Sequence, residues 1–138
     1  MKLSAAAIAI SWSGVSSAAS IMVSSTSDDA VGQSLIYYLK DDISRSSMHR
    51  LVYTEDDAAF VIRIVTLKEN EGRSAAYAAV LTMPQIDKKG FNYYVSSQVG
   101  YCGADVTERC ASDILAAFDQ PISEVVSALT DAFKKKPR

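Results

Sequence analysis

The sequence predicts an α+β fold, a two-layer sandwich whose mostly antiparallel sheet carries helices on one face. Three observations lead there. The run Ala58–Leu67, AAFVIRIVTL, is rich in branched and aromatic residues and is long enough for a central strand. Two more strand-like runs follow it, separated by turn-type residues. Helical periodicities flank this set on both sides, giving the order β-α-β-β-β-β-α.

In chain order, Ile21–Thr26 reads as a short first strand. Ser27-Asp28-Asp29 offers side-chain oxygens to cap a helix start. Val31, Leu35 and Leu39 recur every fourth residue with Ile36 and Ile43 beside them, so residues 29–46 form an amphipathic helix. Arg50–Thr54 is a second short strand, and Glu55-Asp56-Asp57 turns the chain into the central one. There Phe60, Ile62 and Ile64 share one face, and Val61, Arg63, Val65 and Leu67 the other. Lys68–Arg73 is a hairpin loop in which Gly72 suits a positive φ. Ala75–Met83 is the next strand, ended by Pro84, and Gln85–Gly90 is a second polar loop.

Phe91–Tyr101 alternates most regularly. Strict alternation sets Phe91, Tyr93, Val95, Val99 and Tyr101 on the buried face, and Asn92, Tyr94, Ser96 and Gln98 on a partly open one. In the last region Val106, Cys110, Ile114 and Phe118 follow a helical repeat. Asp119-Gln120-Pro121 is expected to interrupt or kink it before Ile122, Val125, Val126, Leu129 and Phe133 continue an apolar stripe.

At 138 residues the chain is the size of one domain. Its N-terminus has the three-part order of a secretory signal peptide: Lys2, an apolar stretch Leu3–Val15, then small residues allowing a cut after Ala18 or Ala19. The expected division is therefore a signal peptide over 1–19 and one α+β domain over 20–138. The apolar stretch falls short of the roughly 20 residues a spanning helix needs, so no stable membrane insertion is expected after cleavage. No cysteine follows it that would carry a lipid. The destination is the periplasm or the exterior.

Export gives Cys102 and Cys110 a meaning, since an even pair in an oxidising compartment forms a disulfide. Two cysteines and the lone His49 fall short of a structural zinc site. The net charge of −2 leaves no basic excess to neutralise phosphates, which argues against nucleic acid as a partner. The cluster Lys134-Lys135-Lys136-Pro137-Arg138 reads as a solubilising helix end.

Catalytic patterns are missing from the sequence. His49 has no local nucleophile or orienting carboxylate and reads as a surface residue or one that opens a strand. No Gly-x-Ser-x-Gly elbow or phosphate-cradling glycine loop is present. The acidic pairs Asp28-Asp29, Asp41-Asp42 and Asp56-Asp57 lack calcium-loop spacing. The expectation is no enzyme activity, no cofactor and no metal. The tyrosines matter more, because tyrosine joins a large contact area to a polar tip. Tyr94 on the open face, with Arg63, Val65 and Gln98, forms the candidate binding surface.

The segment HRLVYTEDDAAFVIRIVTL, preceded by a helix rich in Leu and Tyr, resembles the small N-terminal α/β domain of the TolB family and of related curli-secretion and synthase-activator lipoproteins. Leu35, Leu39, Leu51, Val52, Asp57, Ala58, Phe60, Val61 and Ile62 carry the resemblance, which spans about Val31 to Leu67. No propeller follows, and the Cys102/Cys110 loop lies outside the pattern. The resemblance implies a non-catalytic envelope module that binds another envelope or secreted protein. The alternative is a small inhibitor or immunity protein that blocks an exported enzyme or toxin, with Lys68–Arg73 or Gly103–Arg109 plugging the target's cleft.

Overall fold

The computed structural model describes residues 18–84 and 92–134. The expected signal peptide up to residue 17, the loop Gln85–Gly90 and the basic tail from residue 135 lie outside the described residues. The described elements are β1 (Ala19–Thr26), α1 (Ala30–Arg45), β2 (His49–Val52), β3 (Phe60–Glu69), β4 (Ser74–Pro84), β5 (Asn92–Gly103) and α2 (Thr107–Lys134). The five strands form one sheet in the order β2-β1-β3-β4-β5. The expected α+β class is borne out.

The sheet is mixed. The longer ladders, β3 with β4 and β4 with β5, are antiparallel, as their short hairpin sequences require. β1 lies between β2 and β3 and runs parallel to both. The helix crossover from β1 to β2 accounts for the first of these pairings. The second is reached by the short segment 53–59, in which Ala59 N–H donates to the backbone and hydroxyl oxygens of Ser20, at 3.0 and 2.8 Å.

Both helices pack on one face. Ile21, Phe60, Ile62, Ile64, Ala79 and Leu81 from the sheet meet Leu35, Leu39 and Ile43 of α1 and Ile114, Phe118 and Ile122 of α2. The stripe on α1 is the one its periodicity predicts. Asp29 caps this helix: its Oδ1 accepts from Gly32 N–H at 2.6 Å. The other carboxylate oxygen accepts from Thr66 Oγ1 of β3 at 2.8 Å, and Ser27 Oγ lies 2.6 Å from the same Thr66 hydroxyl. The cap thus ties the helix start to the central strand. A Cβ on Gly32 would overlap Thr66 Oγ1 and Ser27 Oγ, so this close approach requires glycine. Burial alone would push the Asp29 carboxyl up, yet the bonds from Gly32, Thr66 and Ser27 hold it below its usual value.

Pro121 corrects one expectation. It sits inside an uninterrupted helix from Thr107 to Lys134. The carbonyl its missing N–H would have served is that of Ala117, on an exposed turn open to water. Phe118 and Ile122, buried on either side of Pro121, hold the helix against the core through this point. Beyond Ile122 the apolar stripe emerges, and Phe133 is exposed.

The Cys102–Cys110 disulfide forms, with Cα atoms 6.1 Å apart. It joins the end of the edge strand β5 to the first turn of α2, so it clamps an edge of the sheet to the helix layer.

Candidate functional site

The face of the sheet opposite the helices is built by register. Arg63, Val80 and Ser97 form one row across β3, β4 and β5; Val65, Ala78 and Val99 form the next; Leu67, Ala76 and Tyr101 form a third. The middle strand contributes only small residues to the last two rows, while branched and aromatic residues flank them. The result is an apolar trough floored by Ala76 and Ala78 and walled by Val65 and Leu67 on one side and Val99 and Tyr101 on the other. Val65 is 53% exposed, Leu67 65%, Val99 76% and Tyr101 77%. At the far end the face closes, with Val61 and Thr82 buried. There Tyr94 stands beside the trough, its Oη 3.0 Å from Ser97 Oγ. Arg63 reaches back to Glu55 at 2.7 Å, in the segment between β2 and β3.

Three of the residues expected to form the binding surface, Arg63, Val65 and Tyr94, lie on this face. Gln98 does not. Its Nε2 donates to Tyr77 Oη at 3.3 Å on the helix side. The cause is a β-bulge: Leu81 pairs with Ser96 but Thr82 with Tyr94, leaving Val95 as an extra residue. One extra residue inverts every side chain after it. Val99 and Tyr101, expected on the buried face, therefore join the open one, and Ser96, Gln98 and Gly100 turn toward the helices. The helix side tolerates this because the Tyr77 ring covers Gly100, where an added Cβ would lie 2.8 Å from the tyrosine oxygen. Burial raises the Tyr77 hydroxyl above its ordinary pKa, while the Gln98 contact opposes this. A glycine inside the strand is the sequence signal for such a bulge or close approach.

Of the two positions expected for His49, the structure gives the strand-opening one and not the surface one. It opens β2, is 5% exposed, and its Nε2 lies 2.6 Å from Asp119 Oδ1 of α2. An orienting carboxylate is thus supplied from far along the chain. Nδ1 has no protein partner among the described residues. A shallow depression beside it is lined by Ser46 and Ser112, among others. Both hydroxyls are engaged elsewhere: Ser112 Oγ donates to Asp42 Oδ2 at 3.0 Å, and Ser46 Oγ accepts from Met48 N–H at 3.0 Å. The pair works here as a clasp between β2 and α2. Among the described residues, no three His, Cys, Asp or Glu side chains are placed to hold a metal ion.

The two loops considered as plugs are short. The β3–β4 turn reduces to Asn70–Gly72, all three at positive φ, because the flanking residues extend the strands. The β5–α2 connection closes on itself through Val106 N–H to Gly103 O at 3.2 Å and is anchored by the disulfide.

No known family matches this chain, and no curated protein matches it in sequence. Its fold is similar to part of TolB from Acinetobacter baumannii, at 12% identity and a TM-score of 0.53, over 78% of this chain and 29% of that one. The lipoprotein GNA1162 from Neisseria meningitidis aligns at 12% identity and a TM-score of 0.44, over 87% of this chain and 99% of that one. This chain spans under a third of the TolB chain, and what the two share is the fold of one small α+β unit.

Proposed function

We propose that this chain is an exported, non-catalytic binding or accessory protein of the bacterial-type cell envelope, and that it holds its partner in the open trough of the sheet. The observation that carries this reading is the exposure of Val65, Leu67, Val99 and Tyr101 in adjacent rows. Scattered apolar residues on a surface are ordinary, whereas a contiguous group marks a place where another molecule sits. The alanine floor admits a side-chain ridge, and the tyrosines supply hydroxyls at its rim. Such a surface fits the apolar side of a second envelope or secreted protein. The disulfide agrees with an oxidising compartment, and the likeness to part of TolB agrees with the envelope reading.

In-cell crosslinking followed by affinity capture tests this. The wild-type chain is expected to bring down one stoichiometric protein, and Val65→Lys/Leu67→Lys is expected to lose it while folding normally. Capture unchanged by that pair would remove the trough from the proposal. Turnover of a substrate that disappears with His49→Ala would remove the non-catalytic part. The intact mass of protein from the envelope should show loss of the segment ending at Ala18 or Ala19 and an oxidised Cys102–Cys110 pair.

A further inference from the structure

The two edges of the sheet are built differently. β2 spans His49–Val52, carries Arg50, and has His49 clasped to α2. Short, charged and tethered edges resist pairing with other strands. β5 is the opposite: it spans Asn92–Gly103, contains no charged residue and no proline, and among the described residues pairs with β4 alone. Its one irregularity, at Val95, lies near the start and leaves Ser96–Gly103 in regular register with β4. The disulfide then holds this stretch in place.

We infer that β5 pairs antiparallel with β5 of a second copy of this chain, in a two-fold register centred on Gly100. Self-pairing sets a strand against its own sequence, so the charges of a charged strand recur, with the same sign, on the strand facing it; β5 carries none. Centring on Gly100 places Tyr101 of each copy opposite Val99 of the other, an aromatic pair with a branched residue on the open face. Gly100 faces Gly100 on the helix side, where Tyr77 already fills the space above it. The Val99 and Tyr101 walls of the two copies then stand side by side, with one trough on either side of them on one continuous sheet. A two-fold pairing of this kind closes and leaves no further edge of the same type. The inference stands apart from the function proposed above, since a dimer presents both troughs whether or not they are occupied.

Sedimentation velocity on the mature protein over a concentration series up to about 100 µM tests it. The wild type is expected to dimerise. Val99→Lys/Tyr101→Lys, which sets lysines opposite lysines, is expected to weaken self-association by at least about tenfold with unchanged circular dichroism. Val65→Lys lies on the same face but away from the edge, and is expected to leave the dimer within about twofold of wild type. A wild type that stays monomeric throughout overturns the inference and leaves the edge to some other chain. So does a dimer that the β5 pair leaves intact. A dimer weakened as much by Val65→Lys as by the β5 pair overturns it too, because the copies then stack by their open faces.

Discussion

The two faces of this sheet are made from the same kinds of residue, yet one is a core and the other a surface. Phe60, Ile62 and Ile64 point from β3 into the helices and are almost fully buried, while Val65 and Leu67 point the other way and are more than half exposed. Composition does not separate them; what packs against them does. The covered face is closed by α1 and α2, tied down by the Asp29 cap, the His49–Asp119 clasp and the disulfide. Among the described residues, the open face has no such cover beyond the turn that brings Glu55 to Arg63. Apolar side chains kept there, at no benefit to the monomer's core, are what the binding role proposed above accounts for.

The contrast can be broken most severely from the helix side. Phe118→Ala removes a fully buried ring and is expected to cost about 3–5 kcal/mol in urea unfolding, whereas Leu67→Ser should stay within about 0.5 kcal/mol. Equal losses from the two would mean that the open face is covered. Next in size, Cys102→Ala/Cys110→Ala is expected to cost about 2–3 kcal/mol, because an unlinked unfolded chain regains loop entropy. Hydrogen exchange should then rise first in β5 and the start of α2.

The cap offers a smaller effect with a defined pH dependence. Asp29→Ala is expected to cost about 1 kcal/mol at neutral pH. The folded-state pKa of Asp29 is depressed below 3.8, so its contribution is present above that value and is lost as pH falls through the lower folded value. The gap between wild type and variant should therefore narrow on acidification below pH 3.8; a gap that widens would contradict the hydrogen-bonding assignment. Smallest in stability is the test of face assignment within β5. Tyr101→Ala should weaken partner capture with little change in unfolding, while Gln98→Ala, on the helix side, should leave capture intact.

Much of this structure was legible from residue order. The stripe of Val31, Leu35, Leu39 and Ile43 defines α1, and the two faces of β3 follow from simple alternation. Alternation puts Arg63, Val65 and Tyr94 on the open face correctly because each is reached without passing the bulge. Gln98, Val99 and Tyr101 fall on the opposite faces from those alternation predicts, because alternation carries no record of an inserted residue and only the pairing with β4 shows that Val95 is extra. That His49 opens a strand is legible locally, but its burial and its carboxylate partner are not, because Asp119 belongs to an element far along the chain. Pro121 reads as an interruption or a kink when only local propensity is in view, and distant packing is what carries the helix through it.

The chain's own pattern therefore determined the element types, the α+β class, the cysteine pair and the two apolar faces of β3. These depend on interactions a few residues long, or on periodicities that are visible along one element. Tertiary structure decided the rest: the parallel placement of β1 between β2 and β3, the parity of β5 after Val95, the burial of His49, and which apolar rows remain uncovered. Each of these depends on which element lies alongside another, and that is settled by the joint packing of side chains from distant parts of the chain.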